Sequence, residues 1–234
     1  MPLTNPIFRR ISRLAEEQGV RAFVVGGYVR DHFLRRPSTD IDVVVVGSGI
    51  ALAEALGRVV ETIDPGMETR PHRALSRINR DTRFSRDKSP YRDHVWISFR
   101  RPEEERGRFP SFFIEVGVEG VFYGMGAYAP ERARMNALRR HMRLSPAEPA
   151  AIWKKQADEF KLYGEAYKRL SVPEEVPEIL RPWYVRKSFY LEKALPFSCA
   201  RSSALAEEIG AGFTRLAPLY NYVRSCAPEE EDFQ

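Results

Sequence analysis

Two runs of four consecutive apolar residues, AFVV within RAFVV and VVVV within IDVVVV, flank a Gly26-Gly27 step and the helical stretch YVRDHFLRR. A run that is apolar at every position, rather than at every second one, predicts a strand covered on both faces. Upstream, Ile7, Ile11, Leu14 and Ala15 fall at helical spacing between Ile7 and Glu17, and Gly19 supplies a stop. Val29, Phe33 and Leu34 form the expected inward face of the middle helix, which Ser38 and Thr39 break. After Gly47-Ser48-Gly49 the stretch IALAEALGRVVETI is helical again. The opening therefore reads α-β-α-β-α and ends near Ile63.

From Asp64 the texture changes. Loop signals mix with strand-like pieces as far as HVWISF, and SFFIEVGVEGVFYGMGAYAP reads as two strands. The glycines at 117, 120, 124 and 126 predict a tight turn and a bulge there. ERARMNALRRHMRL, PAAIWKKQADEFKLYGEAYKRL and SSALAEEIGAGFTRLAPLYNYV read as amphipathic helices, with PEEVPEILRPWYVRKSFYLEK interrupted by prolines. The acidic end EEEDFQ is expected to fray. The division that follows is 1–62, 63–226 and an acidic tail, 227–234.

Composition narrows the classes. No apolar run approaches the roughly 20 residues that cross a bilayer, and no secretory pattern opens the chain, so the expectation is a cytoplasmic protein without a membrane partner. Cys199 and Cys226 lie far apart and read as free thiols. His72, His94 and His141 show no metal-ligand spacing, and Trp153 and Trp183 read as core. The net charge is +5, but eight basic residues stand against Asp81 and Asp87 between Arg70 and Arg92. Such a run either attracts phosphate or is a solvated face with internal ion pairs. Within it Arg77, Arg80, Arg83, Lys88 and Tyr91 are the candidate anion-binding set, because guanidinium forks match phosphate and carboxylate geometry. A buried ion-pair network that staples a loop is the competing reading.

The string VVGGYVRDHFLRRPSTDIDVVVVGSGIALAEAL, within about Asn5 to Val60, resembles the head domain of CCA-adding tRNA nucleotidyltransferases and bacterial poly(A) polymerases. The carrying pattern is Gly-Gly-x-Val-Arg-Asp, then Leu-x-Arg, then Asp-x-Asp. The resemblance implies that Asp40 and Asp42 are the catalytic pair and hold magnesium, since residues two apart on a strand share a face. It implies that Gly26 and Gly27 admit a nucleotide phosphate to the backbone, and that Arg30 and Asp31 line that site at the helix start. The family's later strands, its third carboxylate and its base-selecting Glu-Asp-x-x-Arg helix have no counterpart here. The expectation is accordingly an incomplete head that does not transfer nucleotides, with magnesium as a cofactor only where that site works. Nucleotide or RNA is the partner in the alternative readings.

From about Ile63 to Val223 the chain resembles the uncharacterised family catalogued as domain of unknown function 2461. IDPGMETRP, SRINRDTRFSRDKSPYRDH and GVEGVFYGMGAYAPE carry the resemblance, with weaker support from GEAYKRL and WYVRKSFYLEK. That family's usual opening helices are absent. The seam falls inside the helix ending at Ile63, which both patterns use, as in a chimeric or recombined gene. Ile50, Leu52, Ala53, Leu56, Val59, Val60 and Ile63 give that helix a broad apolar stripe. The fold class expected is α+β, a mixed sheet with packed helices, with self-association if apolar surface stays uncovered.

Overall fold

A computed structural model of the chain describes residues 6–17, 21–37, 42–46, 49–77, 92, 94–117 and 119–233. The chain divides into two compact units, Met1–Ala51 and Leu52–Gln234.

In the first unit, α1 (Pro6–Glu17), β1 (Arg21–Val25), α2 (Gly26–Phe33) and β2 (Asp42–Val46) follow in order, and α3 (Gly49–Ile63) begins there. The expected α-β-α-β-α sequence is thus observed. β1 and β2 pair antiparallel, from Arg21 opposite Val46 to Val25 opposite Asp42. The faces differ from expectation. Phe8 is the buried residue of α1 and meets Tyr28 edge-on at 5.0 Å, while Ile7 and Leu14 are exposed. Phe33 and Leu34, expected inward on α2, are exposed, and so is Phe23 in β1. A two-stranded ribbon has too little mass beside it to cover both faces of an apolar strand.

The larger unit is built on a five-stranded sheet of β3 (His94–Phe99), β4 (Ser111–Gly117), β5 (Gly120–Ala127), β6 (Lys161–Tyr163) and β7 (Phe189–Leu195). Its order is β3-β4-β5-β7-β6, and every pairing is antiparallel. Antiparallel sheets commonly bury one face more than the other, and here one face is fully buried while the side chains of the other are mostly half-buried. Ile97, Phe99, Phe112, Ile114, Tyr123, Met125, Phe189 and Leu191 point into the core. Their strand neighbours, including Trp96, Ser98, Phe113, Glu115, Tyr190 and Glu192, alternate to the other side.

The core face is covered mainly by α8 (Leu205–Ser225), where Phe213 packs on Phe112 at 4.8 Å and Tyr220 on the same ring at 5.1 Å. Gly212 lets that helix settle on Tyr123, whose ring would lie 2.4 Å from a Cβ at that position. α3 presents Ala53, Leu56 and Val60 to this core, and Gly210 of α8 faces its Val59 and Leu56. The apolar stripe of α3 therefore serves the larger unit, and the boundary between units falls inside the helix. α4 (Pro71–Ala74), α5 (Arg132–Leu144), α6 (Ala147–Lys154) and α7 (Arg181–Tyr184) complete the described helices. Trp153 and Trp183 are core residues in edge contact at 5.4 Å.

Three expectations change here. The long helix read from Pro149 onward stops at Lys154, and Lys161–Tyr163 forms an edge strand on β7 instead. The β4–β5 register runs unbroken from Ser111 opposite Gly126 to Gly117 opposite Gly120, so the glycines make a hairpin without a bulge. The acidic tail is docked: a 3-10 turn at Glu230–Phe233 places Asp232 at 4% exposure, with its carboxylate on Arg140. Buried charge is tolerated where it is paired, and here a guanidinium pairs it.

Candidate anion-binding cleft

In the opening unit, Gly26 and Gly27 form the first turn of α2, directly after β1. Arg30 and Asp31 consequently sit in the second half of that helix rather than at its start. They bond to each other, Arg30 Nε to Asp31 Oδ1 at 2.8 Å. Asp42 heads β2 opposite Val25, the residue before the glycines. Asp40 lies outside the described residues, and among those described no group of three or more His, Cys, Asp or Glu could hold a metal.

The basic run of the larger unit converges on a cleft of about 860 Å³. Arg70 and Arg73 come from α4 and its N-cap, Arg77 and Arg92 from the segment between α4 and β3, and Arg100 and Arg106 from the β3–β4 loop. Glu68 is the one acidic lining residue among those described. It is committed to Arg70, which donates through Nε at 2.7 Å and through a second guanidinium nitrogen to the other oxygen. That hydrogen bond, reinforced by the nearby Arg73 charge, pushes the Glu68 carboxyl down to about 2. Arg100 is anchored, donating to the carbonyls of Arg101 at 3.1 Å and Glu104 at 2.6 Å. Arg92 stacks over the Trp96 ring at 5.1 Å, and its Nε is buried without a hydrogen-bond partner among the described residues.

Trp96, Ser98 and Arg106 also line a second hollow, of about 410 Å³, on the open face of the sheet. Phe113, Tyr128 and Tyr190 supply its apolar walls, Gly126 part of its floor, and Ser111, Glu115 and Glu192 its acceptors. Gly126 is required by the close approach of β7, because a Cβ would stand 2.5 Å from the Phe189 carbonyl oxygen. Trp96 Nε1 donates to Glu115 Oε2 at 2.8 Å, directly across the β3–β4 ladder. Burial, and then the neighbouring Glu115 charge, raise the Glu192 carboxyl above its usual range. Tyr190, which stacks on Tyr163 at 5.3 Å, is shifted upward by burial and then by Glu192.

Two other charged clusters of this unit spend their donors on internal partners. Lys193 donates to Glu159 at 2.8 Å and Glu208 at 2.7 Å, and Arg215 closes onto Glu159. Arg139 spends its guanidinium on the carbonyls of Tyr184 and Arg186 and on Asn136. His141 packs edge-on against Tyr222, and Cys199 and Cys226 are free thiols.

Of the residues expected from sequence, the structure places Arg77 in the cleft; Arg80, Arg83, Lys88 and Tyr91 lie outside the described residues. Trp96, Arg100 and Arg106 were not singled out from sequence. The alternation in HVWISF could have found Trp96 and Ser98, since it sends both to one face.

The larger unit is thus an α+β unit with one helix-covered sheet face and an arginine-lined cleft at the β3 edge. Residues 47–222 match the family described as Conserved hypothetical protein (DUF2461), and the chain belongs to that family. The match begins at residue 47 rather than near Ile63, so it takes in the whole of α3. No curated protein matches the chain. No helix among the described residues is long and apolar enough to cross a membrane.

Proposed function

We propose that the larger unit binds a small organic anion carrying phosphate, with the arginine cleft as the site of the anionic group. The single observation that carries this is the excess of arginine: six line the cleft, and Glu68, its acidic member, is already taken by Arg70. A volume of about 860 Å³ suits a compact ligand, since such sites run about 300–1,000 Å³. Titration of the purified chain with inorganic phosphate and ribose 5-phosphate, followed by calorimetry, tests it. Arg77→Ala is expected to weaken binding about tenfold, as loss of one charge-assisted contact does. Binding indifferent to Arg77→Ala and to Arg106→Ala sinks the proposal. So does an oligoribonucleotide that binds far more tightly than any small phosphate, which favours RNA as the partner.

The opening unit is read as a nucleotidyltransferase-like element that adds no nucleotide to RNA. Support comes from the missing base-selecting helix and from the mutual pairing of Arg30 and Asp31. Magnesium, where bound, would rest on Asp40 and Asp42 and would supply charge neutralisation for a triphosphate. Incubation with labelled CTP or ATP and a tRNA lacking its CCA end decides the matter: incorporation abolished by Asp42→Ala overturns this reading.

A further inference from the structure

The open sheet face is the more informative half of the cleft system. Its hollow shares Trp96, Ser98 and Arg106 with the arginine cleft, so one molecule can reach both. Its walls are aromatic, and flat aromatic faces select flat rings. The β5 strand beneath carries Gly126 in place of a side chain, which leaves the middle of the face uncovered. The acceptors share strands with the aromatic walls: Ser111 and Glu115 flank Phe113 on β4, and Glu192 follows Tyr190 on the same face of β7. Glu115 has one oxygen engaged by the Trp96 indole and the other free of any hydrogen bond among the described residues.

We infer that this hollow is the base subsite of a nucleoside monophosphate site, its ring held against the neighbouring Phe113 and Tyr190 rings, 6.3 Å apart, and its amino-bearing edge read by Glu192 and Glu115. The inference rests on the cleft reading above, which supplies the phosphate end. A carboxylate accepts from the amino group, and one that takes up a proton as the base binds also donates to the unprotonated ring nitrogen beside it. The upward shift of Glu192, caused first by burial, agrees with that role. A sugar phosphate without a base fills the arginine cleft and leaves the hollow to water. An apolar ring without donors leaves both carboxyl groups unmatched, which a polar site rejects strongly.

The full chain serves for the test. Trp153 and Trp183 are buried in the core, so ligand-dependent quenching of tryptophan emission reports on Trp96, and Trp96→Phe is expected to remove it. Adenosine 5′-monophosphate is expected to bind about tenfold or more tightly than ribose 5-phosphate, the gain that stacking of one base brings. Glu192→Ala is expected to shrink that preference to within about twofold while ribose 5-phosphate binding is unchanged. Glu192→Gln, which keeps one donor and one acceptor, is expected to retain most of the preference. Equal affinity for the two phosphates in the parent chain, or a preference that Glu192→Ala leaves intact, overturns the base subsite without touching the phosphate cleft. Adenosine binding that is sensitive to Glu192→Ala, with no effect of Arg77→Ala on the nucleotide, keeps the hollow and removes the cleft.

Discussion

Arg101 holds Asp64 in a two-point fork, Nε to Oδ2 and a terminal nitrogen to Oδ1, both at 3.0 Å. The Tyr220 hydroxyl donates to Oδ2 as well, and the Gly66 N–H donates to Oδ1 at 3.0 Å. One carboxylate thus ties the turn that leaves α3 to the β3–β4 loop and to α8. Asp64→Ala strands the Tyr220 hydroxyl and half-buried Arg101, and breaking a buried pair costs about 3 kcal/mol or more. Urea denaturation of the variant is expected to show that loss with an unchanged slope. A midpoint equal to the parent's refutes it.

The same carboxylate sets a pH dependence. Burial works to raise Asp64, and the hydrogen bonds from Arg101, Tyr220 and Gly66 overcome it, so its folded pKa lies below the ordinary value. A depressed folded pKa contributes stability that is complete above the unfolded value, about 3.9 for aspartate, and is lost as pH falls through the folded one. The parent is expected to lose stability more steeply below about pH 4 than Asp64→Asn does. Parallel acid limbs for the two proteins contradict this.

Much of the larger unit was legible because its elements carry their own periodicity. α5, α8 and the β4–β5 hairpin follow directly from apolar spacing and glycine punctuation. β6 was not legible, because three residues with no strand pattern become a strand only when β7 lies beside them. Arg140 and Asp232 stand 92 positions apart, so nothing local announces their pairing. The site divides in the same way. Arg77 comes from a visible basic run, whereas Trp96, Arg106 and Glu192 meet only through the sheet.

Leu56 tests whether α3 belongs to the core of the larger unit. It is fully buried and lies beside Gly210 of α8. Leu56→Ala is expected to cost about 2–5 kcal/mol, the range for such truncations. Leu56→Asp adds an unpaired buried charge and is expected to leave the unit unfolded or aggregating. Thermal unfolding at the parent's temperature for Leu56→Asp would show that α3 is dispensable.

Gly124 offers a sharper steric test than any other glycine of the sheet. A Cβ there would fall 1.7 Å from the Leu191 carbonyl oxygen, so β5 and β7 must separate to admit even alanine. Gly57 is a milder comparison, since a Cβ there would meet Thr69 Cβ at 3.1 Å and the Thr69 carbonyl oxygen at 3.2 Å, contacts relieved by a much smaller shift. Gly124→Ala is expected to cost more than about 3 kcal/mol, beyond ordinary overpacking, and Gly57→Ala less than about half that. Amide exchange across the Gly124–Glu192 pair should quicken in the first variant. Equal stabilities for the two variants would mean that the strands part at little cost.

The docked tail gives the last test. Arg140, whose side chain is 12% exposed, meets Glu229 at 2.9 Å, Glu231 at 3.3 Å and Asp232 at 3.0 Å. Asn136 donates to the Asp232 carbonyl at 2.9 Å, and the Glu229 N–H donates back to the Asp232 carboxylate. Glu229 and Glu231 are well exposed, and exposed pairs contribute little. The weight therefore falls on Asp232, which is buried and turns its carboxylate to both Arg140 and the local backbone. Asp232→Ala is expected to release the 3-10 turn and cost about 2 kcal/mol, whereas Glu231→Ala should cost less than about 0.5 kcal/mol. Limited proteolysis reads the difference without requiring global unfolding: cleavage after Arg224 should accelerate in Asp232→Ala alone. Equal protection of both variants would mean that the Asp232 carboxylate does not hold the tail and that Arg140 is a bystander.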